Sequence, residues 1–217
     1  MNNQVIPSPA AIIFDCDGIL VDSEAITFSV LAEMAGEAGL HLSLQELEQH
    51  FLGKSLNEII LFLEQETGQS LLPTFEPDFR QRTFAKFKTD LQPVPGIHAL
   101  LDRLQIPIAV ASSGPPHKIR MNLELTQLTD YFGDNVFSCY DLQKWKPDPA
   151  VFLAAAQHLG FSPEQCVVVE DSPPGVAGAV AGGFRTYALA RHGNDAALAA
   201  AGATVYQHHD ELYGLLF

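Results

Sequence analysis

Basic residues are scarce in this 217-residue chain: 12 Lys and Arg stand against 26 Asp and Glu, a formal net charge of −14. A protein that binds a nucleic-acid backbone presents a basic face, so this balance argues against a nucleic-acid partner. The same field opposes anionic small molecules at long range. A phosphorylated ligand would need a local cation, either a metal or a few placed Lys and Arg side chains. Cysteine is sparse too. Cys16, Cys139 and Cys166 are odd in number and have neither disulfide-framework nor metal-type spacing. Cys16 and Cys166 lie in apolar runs and are expected as small buried hydrophobes. No apolar stretch approaches the roughly 20 residues that span a bilayer, so no membrane association is expected. The opening MNNQVIPSPA has neither a basic start nor an apolar signal core, and the chain is expected in the cytoplasm. Internal repeats and low-complexity tracts are absent. With 47% hydrophobic and 18% charged residues, the composition excludes a disordered chain and allows one main domain with a small insertion.

What is present begins with short β-rich apolar runs. Ala11–Cys16 (AIIFDC) is such a run, ending in acidic residues and Gly18, as a buried parallel strand does when it stops at a functional loop. Similar runs are predicted as strands at Ile106–Ala111, Asn135–Ser138, Cys166–Glu170 and Arg185–Leu189, with a weaker one at Ala203–Tyr206. Helical patterns separate them. Ile97, Leu100, Leu101 and Leu104 make one apolar stripe. Asp148 and Pro149 read as N-cap and first residue of a helix that runs to Leu159 and stops at Gly160. This alternation predicts a parallel sheet covered by helices on both faces, with ligands bound beyond the carboxyl ends of its strands.

One region breaks the alternation. From Glu24 to Leu91 only helical periodicity is visible. Ile26, Val30, Leu31, Met34 and Ala38 share a face, and Phe79, Phe84, Phe87 and Leu91 form a last stripe. Ser43 with Glu46 and Ser55 with Glu58 match the S-x-x-E capping box that opens a helix. An all-helical lid over the sheet, inserted between the first and second strands, is the expected arrangement.

The polar residues at the strand ends carry the chemistry. Asp15 and Asp17 stand two apart just past an apolar strand, followed by Gly18. Alone, Asp-x-Asp-Gly has a solvated turn as its alternative reading; held close together, the two carboxylates call for a cation. Ser112 and Ser113 follow the second strand, Lys146 precedes a capped helix, and Glu170 and Asp171 end the Cys166 strand. A parallel sheet would gather all of these at one edge. A carboxylate nucleophile, a metal site, a hydroxyl donor and a cation for phosphate oxygens are the parts phosphoryl transfer needs.

In that order these residues resemble the four signature motifs of the haloacid dehalogenase superfamily, whose helical cap is inserted after the first strand. The resemblance runs from Ala11 to about Leu189 and includes Gly175 with the Ala- and Gly-rich stretch after it. It implies an α/β fold with a Rossmann-like parallel core formed by residues 1–22 and 92–217. Residues 23–91 would be a helical cap that selects substrate. Position by position, Asp15 corresponds to the nucleophile and Asp17 to the general acid/base. Ser112 and Lys146 correspond to the phosphate clamp, with Ser113 and Gly18 also at the substrate. Asp171 corresponds to a second metal-binding carboxylate, with Glu170 supporting the metal directly or through water. The cofactor implied is Mg²⁺, bound by Asp15, the main-chain carbonyl of Asp17 and Asp171; Mn²⁺ suits the same oxygen ligands.

The presence of an acid at Asp17 favours phosphate esters, because relatives that remove halide need no proton donor there. Thr27 stands where related mutases carry a cap histidine, which favours hydrolysis over isomerisation. The expected ligand is a small phosphorylated metabolite, a sugar phosphate or a sugar-acid phosphate such as 6-phosphogluconate, and the protein a monomer or weak homo-oligomer. Gly53, Lys54 and Ser55 are candidates for the cap's substrate loop; a solvated lysine beside an N-cap is the alternative. Arg80, Arg82, Lys86 and Lys88 read as a solvated helix from which one or two cations could reach a second anionic group. Trp145 is expected to buttress the Lys146 loop, and the adjacent His208 and His209 are expected at the surface. Two other classes share parts of this pattern: a mutase or phosphotransferase on the same scaffold, and a receiver-like module that stores phosphate on an aspartate.

Overall fold

The computed structural model describes residues 7–51, 56–71, 73–191 and 193–217, the side chains of Glu48 and Gln49 excepted. The chain divides into two compact units, one comprising Met1–Asp22 and Pro93–Phe217 and the other Ser23–Gln92. In chain order the elements are β1 (Ala11–Phe14), α1 (Glu24–Glu37), α2 (Leu44–Phe51), α3 (Leu56–Thr67), α4 (Phe75–Asp90), α5 (Ile97–Arg103), β2 (Ile108–Ser112) and α6 (Pro116–Leu125). There follow α7 (Thr129–Phe132), β3 (Val136–Ser138), α8 (Cys139–Leu142), α9 (Ala150–Leu159), β4 (Cys166–Glu170), α10 (Pro173–Ala181), β5 (Arg185–Leu189), α11 (Asp195–Ala200), β6 (Thr204–Tyr206) and α12 (His209–Leu216). None of the described helices is long and apolar enough to cross a membrane.

The larger unit is an α/β fold around a six-stranded sheet of order β3-β2-β1-β4-β5-β6, parallel throughout. β1, β2 and β4 are buried at every position, which is why they read as unbroken apolar runs rather than alternating ones. The edge strands β3 and β6 are short and only partly buried. Ala11, Ile13, Ala109, Ala111 and Val168 pack with Val151, Phe152, Ala155 and Ala156 of α9 and with Ala179 of α10. Burial of the larger of these side chains stabilises the unit by about 1.5–3 kcal/mol apiece.

Because β1 pairs with β2 on one side and β4 on the other, the strand order reverses there. A crevice opens at the carboxyl ends of strands at such a switch point. Phe14 is level with both Val110 and Val169, so Asp15, Ser112 and Glu170 emerge at the same edge of the sheet.

Several boundaries differ from expectation by one or two residues. β1 ends at Phe14 rather than Cys16, although the Asp15 N–H still donates to the Val169 carbonyl at 2.9 Å. Beyond it the chain turns back on itself, with Gly18 N–H donating to Val21 O and Val21 N–H to Cys16 O. β2 starts after Pro107, which has no N–H to give to a ladder. Asp148 caps α9 by accepting from the Ala150 N–H at 2.9 Å, one residue out of the expected register, and Gly160 ends the helix at φ +84°.

The smaller unit is helical. Phe28, Leu31, Met34 and Ala35 of α1 pack with Leu47 and Phe51 of α2, Ile59, Ile60 and Leu63 of α3, and Phe75 and Phe79 of α4. The Ser43–Glu46 capping box is formed, Ser43 N–H donating to Glu46 Oε2 at 2.8 Å and Glu46 N–H to Ser43 Oγ at 3.3 Å. The Ser55–Glu58 box falls at Ser55 outside the described residues. Three of the four α4 cations are tied to carboxylates within the unit: Arg80 to Glu76, Arg82 to Asp78 and Glu37, and Lys86 to Glu33.

Candidate active site

The site is built on three strand ends and two close approaches. Gly18 has φ +82°, and a Cβ there would lie 1.7 Å from Asp171 Oδ2. Only glycine leaves room for the Asp171 carboxylate against the Asp15–Gly18 loop. A Cβ on Gly175, in the first turn of α10, would likewise fall 1.9 Å from Glu170 Oε1. The small residues around the acidic pairs are therefore what lets the carboxylates approach.

Lys146 is the electrostatic hub. Its ammonium donates to Asp15 Oδ1 at 2.5 Å, to Glu170 Oε1 at 2.7 Å and to the Ala111 carbonyl at 3.1 Å, using all three protons. Burial pulls this ammonium down, but the charges of Asp15 and Glu170 outweigh it and hold its pKa above the usual lysine range. Glu170 Oε2 accepts from Asp171 N–H, Ser172 N–H and Ser172 Oγ at 2.8–2.9 Å. Both Glu170 oxygens are thus engaged, one on the lysine and one on the loop that carries Asp171.

Burial pushes the Asp15 carboxyl up, to about 7, and Glu170 and Asp17 add to the shift while Lys146 opposes it. Asp17 sits differently. Its side chain is part-exposed, and Oδ2 accepts from Lys118 of α6 at 2.6 Å while Asn122, one helical turn on, approaches Oδ1 at 3.5 Å.

Ser112, the last residue of β2, is buried, and its Oγ accepts from Gly114 N–H at 3.0 Å. Ser113 is exposed, with its hydroxyl 3.9 Å from the Cys139 sulfur. Asp15, Ser112, Lys146, Glu170, Asp17, Gly18 and Asp171 thus converge at one sheet edge. Gly53, Lys54 and Ser55 lie outside the described residues.

Among the described residues, no group of three or more His, Cys, Asp or Glu side chains could hold a metal by itself. The candidate donors are nevertheless hard oxygens: the carboxylate and main-chain carbonyls of the Asp15–Gly18 loop and the Asp171 carboxylate that lies against Gly18. Mg²⁺ is commonly held by one or two carboxylates, completed by waters and substrate phosphate. The donor set fits such an ion.

The sequence reading assigned no functional role to five polar residues near the site. Lys118 and Asn122 reach Asp17 from α6. Arg191 donates to Asp22 Oδ1 at 2.9 Å and Asn194 to the Asp171 carbonyl at 3.0 Å. His209 was expected at the surface and is instead 1% exposed, bonded through Nε2 to the Ile19 carbonyl at 2.9 Å and facing the Tyr206 hydroxyl at 3.2 Å. A charge-bearing pair near the C-terminus conceals that α12 buries one of its histidines. Trp145 is 45% exposed and packs edge-on against Tyr140.

A parallel sheet with carboxylates, a lysine and a serine gathered at its switch point defines an α/β protein with a polar site at its strand ends, and comparison with known proteins names the class. The family model for haloacid dehalogenase-like hydrolases matches residues 9–183, and the chain belongs to that family. It is 33% identical over 203 residues to the 6-phosphogluconate phosphatase of Escherichia coli, covering 93% of this chain and 92% of that protein. A haloacid dehalogenase-like protein of unknown function from Agrobacterium tumefaciens has a solved structure with TM-score 0.88 and 33% identity, covering 95% of this chain and 97% of the other. A family hydrolase from Deinococcus radiodurans, solved with bound phosphate and sodium, gives TM-score 0.84 and 31% identity, covering 97% and 96%.

Proposed function

We propose that this chain is a Mg²⁺-dependent phosphomonoesterase that acts on a sugar phosphate or sugar-acid phosphate through a phosphorylated Asp15. The observation that carries the reading is the contrast between two carboxylates two residues apart. Asp15 is buried against Lys146, and Asp17 is part-exposed and held by a different lysine. Two carboxyl groups in unlike environments are suited to two unlike roles.

Asp15 attacks phosphorus in line and displaces the sugar alkoxide, which takes a proton from Asp17. The ionised Asp17 then removes a proton from the water that attacks the aspartyl phosphate, releasing inorganic phosphate and restoring Asp15. Such acid–base assistance contributes about 10²–10⁴-fold. Lys146 and the Ser112 hydroxyl stabilise the equatorial phosphate oxygens. Bound by Asp15, the Asp17 carbonyl and Asp171, Mg²⁺ supplies the positive charge that offsets repulsion between carboxylate and phosphate. Glu170, with both oxygens engaged, serves by holding Lys146 and the Asp171 main chain.

The 6-phosphogluconate activity named for the Escherichia coli relative makes sugar-acid phosphates the first substrates to try. Phosphate release from a panel of phosphorylated sugars and sugar acids, with Mg²⁺ or with EDTA, tests the reading in wild type and Asp15→Asn. Metal-dependent release that the substitution abolishes is the expected result. Release that persists in Asp15→Asn would sink the nucleophile assignment, and an isomeric sugar phosphate as product would mean a mutase.

A further inference from the structure

Two side chains from outside every motif described above tie the two acidic loops together. Arg191, just after β5, donates through Nη1 to the Gly18 carbonyl at 3.4 Å and through Nη2 to Asp22 Oδ1 at 2.9 Å. Its own backbone N–H donates to Asn194 Oδ1 at 3.0 Å, and Asn194 Nδ2 donates to the Asp171 carbonyl at 3.0 Å. Gly18 and Asp171 are thus joined through a bridge of two residues in the loop between β5 and α11. His209 separately bonds the Ile19 carbonyl, one residue beyond Gly18.

We propose that Arg191 and Asn194 are positioning residues that set the separation between the Asp15–Gly18 loop and Asp171, and through it the affinity for the divalent cation. The proposal rests on the functional reading above. The two loops touch without slack, since a Cβ on Gly18 would lie 1.7 Å from Asp171 Oδ2. An ion held by one carboxylate from each loop therefore depends on their spacing to a few tenths of an ångström. Mg²⁺ demands near-ideal octahedral geometry and tolerates misplacement poorly. Neither Arg191 nor Asn194 is among the proposed ligands; Asn194 acts through the Asp171 carbonyl, and Arg191 through the Gly18 carbonyl and the Asp22 carboxylate.

The test uses the metal alone. The rise in Tm with added Mg²⁺ is followed without substrate for wild type, Asn194→Ala, Arg191→Lys, Leu198→Ala and Asp171→Asn. Arg191→Lys keeps a charge for Asp22 but loses the fork, and so covers the case in which Asn194→Ala does not fold. Leu198→Ala loosens the buried face of the adjacent α11 and leaves the polar bridge in place. The expected result is that both bridge variants need about 10-fold more Mg²⁺ for the same rise in Tm, the usual loss for an outer-shell partner. Leu198→Ala should lower the metal-free Tm with no change in the Mg²⁺ needed for a given rise. A wild-type Mg²⁺ requirement in both bridge variants, or an equal shift in Leu198→Ala, would overturn the proposal while leaving the functional reading intact. If wild type gains no stability from Mg²⁺, or Asp171→Asn gains as much as wild type, the metal reading fails and the inference with it.

Discussion

The two units handle charge in opposite ways. In the helical unit the ion pairs stand in water: Arg80 and Glu76 are 39% and 45% exposed, one turn apart on α4. In the α/β unit Lys146 is 6% exposed and its partners Asp15 and Glu170 are 10% and 1%. Exposed pairs are worth little, because water screens them and two long side chains must be ordered. Buried pairs carry a desolvation penalty, and removing one partner leaves an uncompensated charge. The helical unit therefore draws its stability from its apolar cluster and decorates its surface with pairs. The α/β unit keeps its strongest charges buried, where their desolvation opposes folding.

That contrast can be broken or sharpened by measurement. The largest effect is expected for Lys146→Met, which leaves Asp15 and Glu170 facing one another without their shared cation. Urea unfolding should show a loss of about 3–5 kcal/mol, and phosphate release should fall at least about 100-fold. A variant that unfolds like wild type would mean the carboxylates find another partner, and the comparison would lose its main support.

His209 comes next. Burial holds it down to about 4 against an ordinary 6.5, with a hydrogen bond to Ile19 and the charge of Asp210 only partly offsetting this. Because the folded-state pKa is the lower one, the unfolded chain binds the extra proton. The contribution to stability is complete above about pH 6.5 and is lost as the pH falls toward 4. Its size is up to about 3 kcal/mol from the pKa difference. In His209→Gln, unfolding midpoints between pH 7 and 4.5 should depend less on pH than in wild type. An equal slope in both proteins would assign the acid sensitivity elsewhere.

Asp15→Asn should move stability in the other direction. Its carboxyl is raised in the fold, so the native state binds the extra proton, and stability is lost as the pH rises from about 4 toward 7. In metal-free buffer at pH 8 the inactive variant should melt no lower than wild type, as expected where a site is kept at some expense to the fold. A markedly lower Tm would show that the Asp15–Lys146 pair holds the unit together.

The smallest effect belongs to the helical unit. A double-mutant cycle on Arg80 and Glu76 should give a coupling of about 0.3–0.5 kcal/mol, with turnover unchanged. Coupling above 1 kcal/mol would remove the distinction between the two regions.

Much of this was legible from residue order. The buried strands β1, β2 and β4 announced themselves because a strand covered on both faces has to be apolar throughout. Asp15, Ser112, Lys146 and Glu170 could be placed together because each sits at or near a strand's carboxyl end. Lys118, Asn122, Arg191, Asn194 and His209 could not. They act through one or two hydrogen bonds each to groups 23 to 190 positions away, and no local periodicity or turn chemistry marks such a contact. The surface expectation for His209 failed for the same reason, since its partner is a backbone carbonyl that every residue possesses.

The sequence by itself determined the family, the α/β class, the helical insertion and the acidic residues at the strand ends. These follow from apolar runs, capping signals and motif order, all of which are local. Only the tertiary structure decided the strand order, the pairing of Asp15 with Lys146 but Asp17 with Lys118, and the bridge from Gly18 to Asp171. Those depend on which backbones come within about 3 Å of one another, a distance set by the packing of the whole unit.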